Sequence, residues 1–302
     1  MNVRRATHDD YDAVAEMTSD IWTDRGGDYI PRVYHDWLED EPGQGKKTFL
    51  AEIDGDAAGI IQAVMVSSDE AWFQSMRVAS EYRRQGVSQR LNEAAYGWAR
   101  ERGATVGRAM IFSWNTASFG AARASGYDPA TEFRFAQPDP DGDATTPDGY
   151  AVSSDPTAAW RYWTHSDARD LLRGLGLAPE ETWAMRELTR DDFQTFADET
   201  AVFAVESDGG LAGTGYRLRT TERTNDDGEE ETWAEYGLGA WDDVDAARAL
   251  FADVARDAAA LEADRTRVVI PETPRYVTDA AYAGAELSDE PDFVLEIDLT
   301  GR

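Results

Sequence analysis

Apolar residues in this chain alternate between short runs at strand spacing and longer stretches at helical spacing. Trp72, Phe73, Met76 and Val78 make a strand-like run, and residues 80–84 form a polar turn after it. Gly86 then opens a stretch with Leu91, Ala94, Ala95 and Trp98 on one helical face. Upstream, the apolar runs 49–53 and 58–66 flank Asp54-Gly55, which predicts a hairpin. Downstream, 109–112 reads as a strand, Gly126 as a helix end and 132–136 as a closing strand. At the start, Val3-Arg4 is a short strand and Thr7 a helix N-cap, with Asp9 and Asp10 in the first turn. The helix it opens carries Val14, Met17 and Ile21.

The same order of elements occurs twice. Val3-Arg4-x-x-Thr7-x-Asp9-Asp10-Tyr11 recurs as Met185-Arg186-x-x-Thr189-x-Asp191-Asp192-Phe193. After it come a helix with Phe196, the run 201–205, the turn Asp208-Gly209-Gly210 and the run 211–218. A strand with Trp233, a long helix, the strand 268–270, a helix end at Gly284 and the strand 293–299 complete the second copy. Residues 138–149, rich in Asp, Gly and Pro, read as a linker. Beyond them, Trp160, Tyr162 and Trp163 and a helix at 167–172 have enough apolar content to pack, without a place in either copy. The expected organisation is an N-terminal domain at 1–137, a connecting segment at 138–180 and a C-terminal domain at 181–302.

The segment from Met76 to Leu91 carries the most chemistry. The first turn of a helix leaves backbone N–H groups without intrahelical partners, at the positive end of the aligned peptide dipoles. A glycine there lets a diphosphate approach the backbone, and flanking arginines add charge-assisted contacts. The spacing Arg83-x-x-Gly86-x-Ser88 resembles motif A of the GNAT superfamily of N-acetyltransferases, with Ser88 where the family has Gly or Ala. The family's proline just beyond the strand is replaced by Ser80. One strand and one turn later, Asn115-Thr-Ala-Ser118-Phe119 running on to Gly126-Tyr127 resembles the family's Asn-x-x-Ala…Gly-Phe segment. The resemblance implies an α/β (α+β) fold of two tandem GNAT-like domains, each a mixed central sheet flanked by helices.

It also implies acetyl-CoA as cosubstrate, bound by the first copy. Its pyrophosphate would lie on the loop Arg83, Arg84, Gln85, Gly86, Val87, Ser88 and Gln89, and its pantetheine arm along Met76, Arg77 and Val78, with Asn115 touching the arm. The family's thiolate acid is commonly a Tyr seven residues past that asparagine, where this chain has Ala122. The frequent glutamate base falls at Trp72, with Glu70 and Gln74 as neighbours. Water, Tyr29 or Tyr34 could substitute, and no catalytic side chain is assigned. The second copy has Trp241-Asp242-Asp243-Val244-Asp245 where the first has its basic glycine turn. Three carboxylates there suit a helix N-terminus and repel a diphosphate, so that copy is expected to keep the fold without the cofactor. Residues 22–37 and the second copy are expected to select the acceptor, a small-molecule or peptide amine. The implied activity is N-acetyl transfer; the alternatives are a non-catalytic acyl-CoA-binding sensor or scaffold, and transfer from a longer acyl-CoA. A monomer built as an internal pseudo-dimer is the expected assembly.

Composition adds boundaries. The 302 residues carry a formal charge of −30, and Lys46 and Lys47 are the only lysines. Acidic residues spread along the whole chain match a protein kept soluble in molar salt, where charge repulsion is screened within ~3 Å. No basic stripe exists to neutralise phosphates, which argues against nucleic acid as a partner. There is no cysteine for a disulfide, thiolate metal site or nucleophile, and His8, His35 and His165 are far apart in sequence, so no metal is expected. No apolar run reaches membrane-spanning length and the first residues begin a strand, so a soluble cytoplasmic protein is expected. Gly43-Gln44-Gly45-Lys46-Lys47-Thr48 lacks the Gly-Lys-Ser/Thr of a nucleotide-binding loop and precedes a strand, which makes it a surface turn.

Overall fold

The computed structural model describes residues 1–23, 26–39, 45–225 and 228–301. Gly43 and Gln44, in the surface turn expected from the sequence, lie outside them. The chain divides into two units, one made of residues 1–110, 117–129 and 295–302, the other of 111–116 and 130–294.

The first unit begins with β1 (Asn2–Arg5), α1 (Tyr11–Thr18), α2 (Ile30–Leu38), β2 (Lys46–Ile53) and β3 (Asp56–Met65). It continues with β4 (Glu70–Val78), α3 (Val87–Arg100), most of β5 (Val106–Phe112) and α4 (Thr116–Ala124). β1 to β4 run antiparallel, with Arg4 opposite Leu50, Leu50 opposite Ile60 and Ile60 opposite Arg77. Asp54 and Gly55 turn the β2–β3 hairpin with φ of 54° and 101°, the left-handed pair that an Asp-Gly turn supplies. β5 joins β4 in parallel, from Glu70 opposite Val106 to Trp72 opposite Arg108, and α3 is the crossover that a parallel pair requires. Val14, Met17, Ile30, Tyr34 and Trp37 pack α1 and α2 onto Leu50 and Ile60. α1 stops at Thr18, short of the expected Ile21, where Thr18 and Ser19 hydroxyls turn back to the carbonyls of Val14 and Glu16.

The second unit takes in most of β6 (Asp128–Gln137), then β7 (Tyr150–Ser153), α5 (Pro156–His165), α6 (Asp167–Leu171), β8 (Leu175–Leu177) and β9 (Met185–Glu187). α7 (Arg190–Glu199), β10 (Ala201–Ser207), β11 (Gly210–Thr224) and β12 (Glu230–Trp241) follow. α8 (Val244–Ala260), β13 (Arg265–Pro271), α9 (Pro274–Tyr282), β14 (Glu286–Leu287) and the start of β15 (Asp292–Asp298) complete it. Its strands run β7-β10-β11-β12-β13-β6, with β12 and β13 parallel and the other neighbours antiparallel. The segment without a place in the sequence pattern belongs here: β7 adds an edge strand to β10, and α5 buries Tyr162 and Trp163.

Each unit repeats the same two polar devices. Arg4 grips Asp10 at 2.8 and 2.6 Å while Asp10 accepts the Thr7 N–H; Arg186 grips Asp192 at 3.0 and 2.7 Å while Asp192 accepts the Thr189 N–H. Each parallel strand pair also buries one carboxylate–guanidinium pair, Glu70 with Arg108 and Glu235 with Arg267. The last residues close the first unit. Leu299 donates its N–H to Thr105 O at 2.8 Å and accepts from Arg100 Nε at 2.9 Å, with Leu295 and Leu299 buried. Among the described residues no helix is long and apolar enough to cross a membrane.

Candidate functional site

At the end of β4 the chain makes one 3-10 turn over Ser80–Tyr82, pinned where Tyr82 donates its hydroxyl to Asp56 at 3.0 Å. Arg84 and Gly86 both take left-handed backbone, with φ of 62° and 80°. Gly86 is the N-cap of α3, and among the described residues no side chain caps it. The first-turn amides of Val87, Ser88 and Gln89 therefore end at an open helix terminus. The buried Val87 side chain anchors that turn, while Arg83, Arg84, Gln85 and Gln89 are exposed around it. A Cβ on Gly86 would meet no atom within 4 Å, so the left-handed φ, rather than crowding by protein, calls for glycine. An open groove lined by Met1, Gln85, Gly86, Gln89, Arg90 and Glu93 lies beside it. Donors, guanidiniums and space all fit a diphosphate.

β4 itself is irregular. Ile60 faces Arg77 but Gln62 faces Gln74, so two residues of β4, Ser75 and Met76, stand against one of β3. Ser75 holds φ at 60°, which marks a β-bulge. Its buried hydroxyl lies 2.6 Å from the Tyr29 hydroxyl. Two residues on, Arg77 donates to Asp28 at 2.6 Å and stacks 4.1 Å above the Trp22 ring. The ladder between β4 and β5 ends at Trp72 and Arg108. From Phe73 onward this side of β4 is a strand edge not laddered to β5, where an extended chain with amide groups can pair.

The other sequence candidates take up different places. Met76, Arg77 and Val78 are the bulged end of β4, and the basic turn follows them directly. Asn115 belongs to the second unit, where its N–H bonds Phe112 O at 2.9 Å. Ala122 lies in α4 and takes the Tyr127 N–H on its carbonyl, with no hydroxyl to offer. Glu70 is buried in its ion pair with Arg108, and Gln74 donates to Gln62 at 2.6 Å. Tyr34 is buried and donates to Thr7 O at 2.8 Å, and burial pushes its phenol well up. Of the two tyrosines, Tyr29 alone reaches the bulge. The histidines are not all apart: His8 and His35 stack, with Nδ1 atoms 2.8 Å from each other, because α2 folds back on the first turn. Ser75 escaped the sequence reading, while Trp22 and Asp28 entered it only as part of the acceptor-selecting stretch 22–37, without their link to Arg77.

The second unit fills the equivalent place with its own side chains. Asp243 caps α8 by accepting the Ala246 N–H at 2.8 Å, and Tyr150 donates to both its oxygens at 3.0 Å. Past the end of the β12–β13 ladder at Tyr236 and Val268, the wholly buried Trp241 and Tyr276 pack together, ring centroids 4.7 Å apart. Asp167 of α6 accepts from Tyr276 and Arg275, and Tyr162 of α5 donates to Asp242 at 2.8 Å.

Residues 11–127 match the model of the acetyltransferase (GNAT) family. No curated protein matches the chain. A GCN5-related N-acetyltransferase from Sphaerobacter thermophilus superposes with a TM-score of 0.62 at 13% identity, over 99% of this chain and 95% of that one. A tandem GNAT protein from the clavulanic acid biosynthesis pathway gives 0.56 at 15% identity, over 100% and 99%. A GCN5-related glucosamine N-acetyltransferase region of a fungal multi-domain GH3 β-N-acetylglucosaminidase gives 0.62 at 15% identity, over 98% of this chain and 38% of that one. The fold of this chain is that of a tandem GNAT protein.

Proposed function

We propose that this chain, whose residues 11–127 form a domain of the GNAT acetyltransferase family, is an acetyl-CoA-dependent N-acetyltransferase with its chemistry in the first unit. The observation that carries the reading is the open, glycine-started first turn of α3 directly after a strand whose bulged end has a free edge. When bound, acetyl-CoA supplies an acetyl group activated as a thioester. The amides of Val87, Ser88 and Gln89, with the Arg83 and Arg84 guanidiniums, would hold its diphosphate. The backbone of Met76, Arg77 and Val78 would orient its amide-bearing arm. Asn115, which the resemblance sets against that arm, falls in the segment 111–116 that groups with the second unit.

Attack by an amine requires removal of its proton and protonation of the leaving thiolate. With Ala122 at the usual acid position, the Tyr29–Ser75 hydroxyl pair is the proton-holding group beside β4. The Asp28–Arg77 ion pair and the Trp22 stack keep Tyr29 there. We further propose a cytoplasmic monomer adapted to high salt, with an amine of small-molecule or peptide type as acceptor. The lack of a hydroxyl at Ala122 favours one second reading, an acyl-CoA-binding module without catalysis.

The test is thiol release from acetyl-CoA with a panel of primary amines in molar KCl. Amine-dependent release that drops in Tyr29→Phe supports the whole reading. Binding of acetyl-CoA without release transfers the conclusion to the binding module, and no binding ends both.

A further inference from the structure

The second unit collects positive charge around one buried point, in a chain whose formal charge is −30. Glu235 on β12 is wholly buried, with Arg219 at 3.0 Å, Arg223 at 2.8 Å and Arg267 at 2.6 Å. One carboxylate thus serves three guanidiniums. Asp292, also buried, does not neutralise them fully: burial pushes its carboxyl up to about 7, against the opposing pull of Arg267.

Arg219 spends its remaining N–H groups on the carbonyls of Ala178 and Glu181. Arg267 has no such outlet. It is 1% exposed, and its Nε and Nη1 have no hydrogen-bond partner among the described residues. Burial, with Arg223 and Arg219 nearby, pulls its pKa down to about 9, which still leaves it charged at neutral pH. A guanidinium buried with unmade hydrogen bonds is costly and calls for a reason.

The faces of Arg267 are covered by rings, with Trp183 at 4.2 Å and Phe135 at 4.8 Å. Trp183 is held at φ of 68°, a left-handed conformation that bulky residues rarely adopt and that gathers at ligand sites. Phe112 packs edge-on against Trp183, Trp114 stacks on Phe112, and Arg223 lies over Trp233 at 4.9 Å. Aromatic rings thus flank donors that no described residue accepts from.

We propose that this cluster is a binding site for a small organic carboxylate. Its oxygens would take the unused N–H groups of Arg267, and its flat apolar body would lie against Trp183. A planar carboxylate matches the planar guanidinium fork, and the rings suit an apolar body better than an inorganic anion. The site belongs wholly to the second unit and does not depend on acetyl transfer in the first.

The experiment uses the full chain at fixed KCl, with benzoate as probe and benzamide as its uncharged isostere, read by tryptophan emission and melting temperature. Saturable binding of benzoate, absent for benzamide, is expected for the wild-type protein. Arg267→Met, which keeps most of the side-chain volume, should weaken it at least about tenfold. Trp183→Leu, a half-exposed position whose replacement leaves the charges intact, should weaken it several-fold and serves if Arg267→Met does not fold. No benzoate effect on the wild-type chain overturns the proposal. So does equal binding of benzamide, benzoate binding unchanged in a folded variant, or displacement of benzoate by an equal concentration of inorganic phosphate.

Discussion

Gly86 can be tested by separating its backbone role from its emptiness. Gly86→Ala must hold a φ of 80°, and its Cβ meets no atom within 4 Å, so the whole cost is backbone strain of about 1–2 kcal/mol. Stability should fall by that amount, while acetyl-CoA affinity falls only a few-fold. Gly86→Glu carries the same strain and adds a carboxylate that can fold onto the first-turn amides of α3 and take the place of the diphosphate. Losing two charge-assisted hydrogen bonds at about 1.5 kcal/mol each gives about 3 kcal/mol, more than a hundredfold in affinity. Asp243→Ala is the matched control. It removes the cap that accepts the Ala246 N–H, which costs about 1 kcal/mol of stability, and leaves affinity unchanged. Titration calorimetry with acetyl-CoA, paired with thermal unfolding of each variant, reads both quantities. Gly86→Glu binding within three-fold of Gly86→Ala, two equivalent sites per chain, or weaker binding in Asp243→Ala would refute the reasoning.

Other expectations follow from charge and chain topology. Self-repulsion at −30 should lower the melting temperature steeply from molar KCl to dilute buffer, and a salt-independent value would remove the high-salt interpretation. Hydrogen bonds from Arg4 hold the Asp10 carboxyl at about 2, below its ordinary 3.8, so this contact stabilises the fold above pH 3.8 and is lost as pH falls through about 2. Denaturant titrations from pH 6 to pH 2 at fixed KCl should show Asp10→Asn losing this dependence, an effect of about 1 kcal/mol after solvent screening. Deleting residues 295–302 should destabilise the first unit and abolish acetyl-CoA binding, since Leu295 and Leu299 are buried in it; a deletion variant that melts and binds as the full chain does would contradict the unit's composition.

The tandem order was readable because each copy writes its corners in the same residues. Thr7 with Asp10 and Thr189 with Asp192 build matching boxes, and Asp54-Gly55 marks its hairpin from two residues alone. A basic glycine turn before a helix is most often a plain connection, and Arg83-x-x-Gly86 stood out because the segment from Asn115 to Gly126-Tyr127 follows it in the expected order. The bulge at Ser75 was not readable, since Trp72, Phe73, Met76 and Val78 make an apolar run that a plain strand would also carry. Tyr29 was one of two equal candidates, and what separates it from Tyr34 is a loop conformation rather than a spacing. Trp241 entered the sequence reading only as the residue ahead of the acidic turn and Tyr276 not at all, because sequence does not say which opening a buried ring fills. The Arg267 cluster gathers side chains from four strands and a loop, and no local window contains it.

Residues 295–302 belong to the first unit, although nearly the whole second unit separates them from the rest of it in sequence. On the ribosome this sets an order of events. The first unit can assemble β1 to β4 early, yet Thr105 and Arg100 wait for Leu299 until the entire second unit has been synthesised. An early nick in the message, or a stalled ribosome, therefore leaves a first unit that is long but unfinished. A single break between the copies would also take from the first unit the buried Leu295 and Leu299 that complete it.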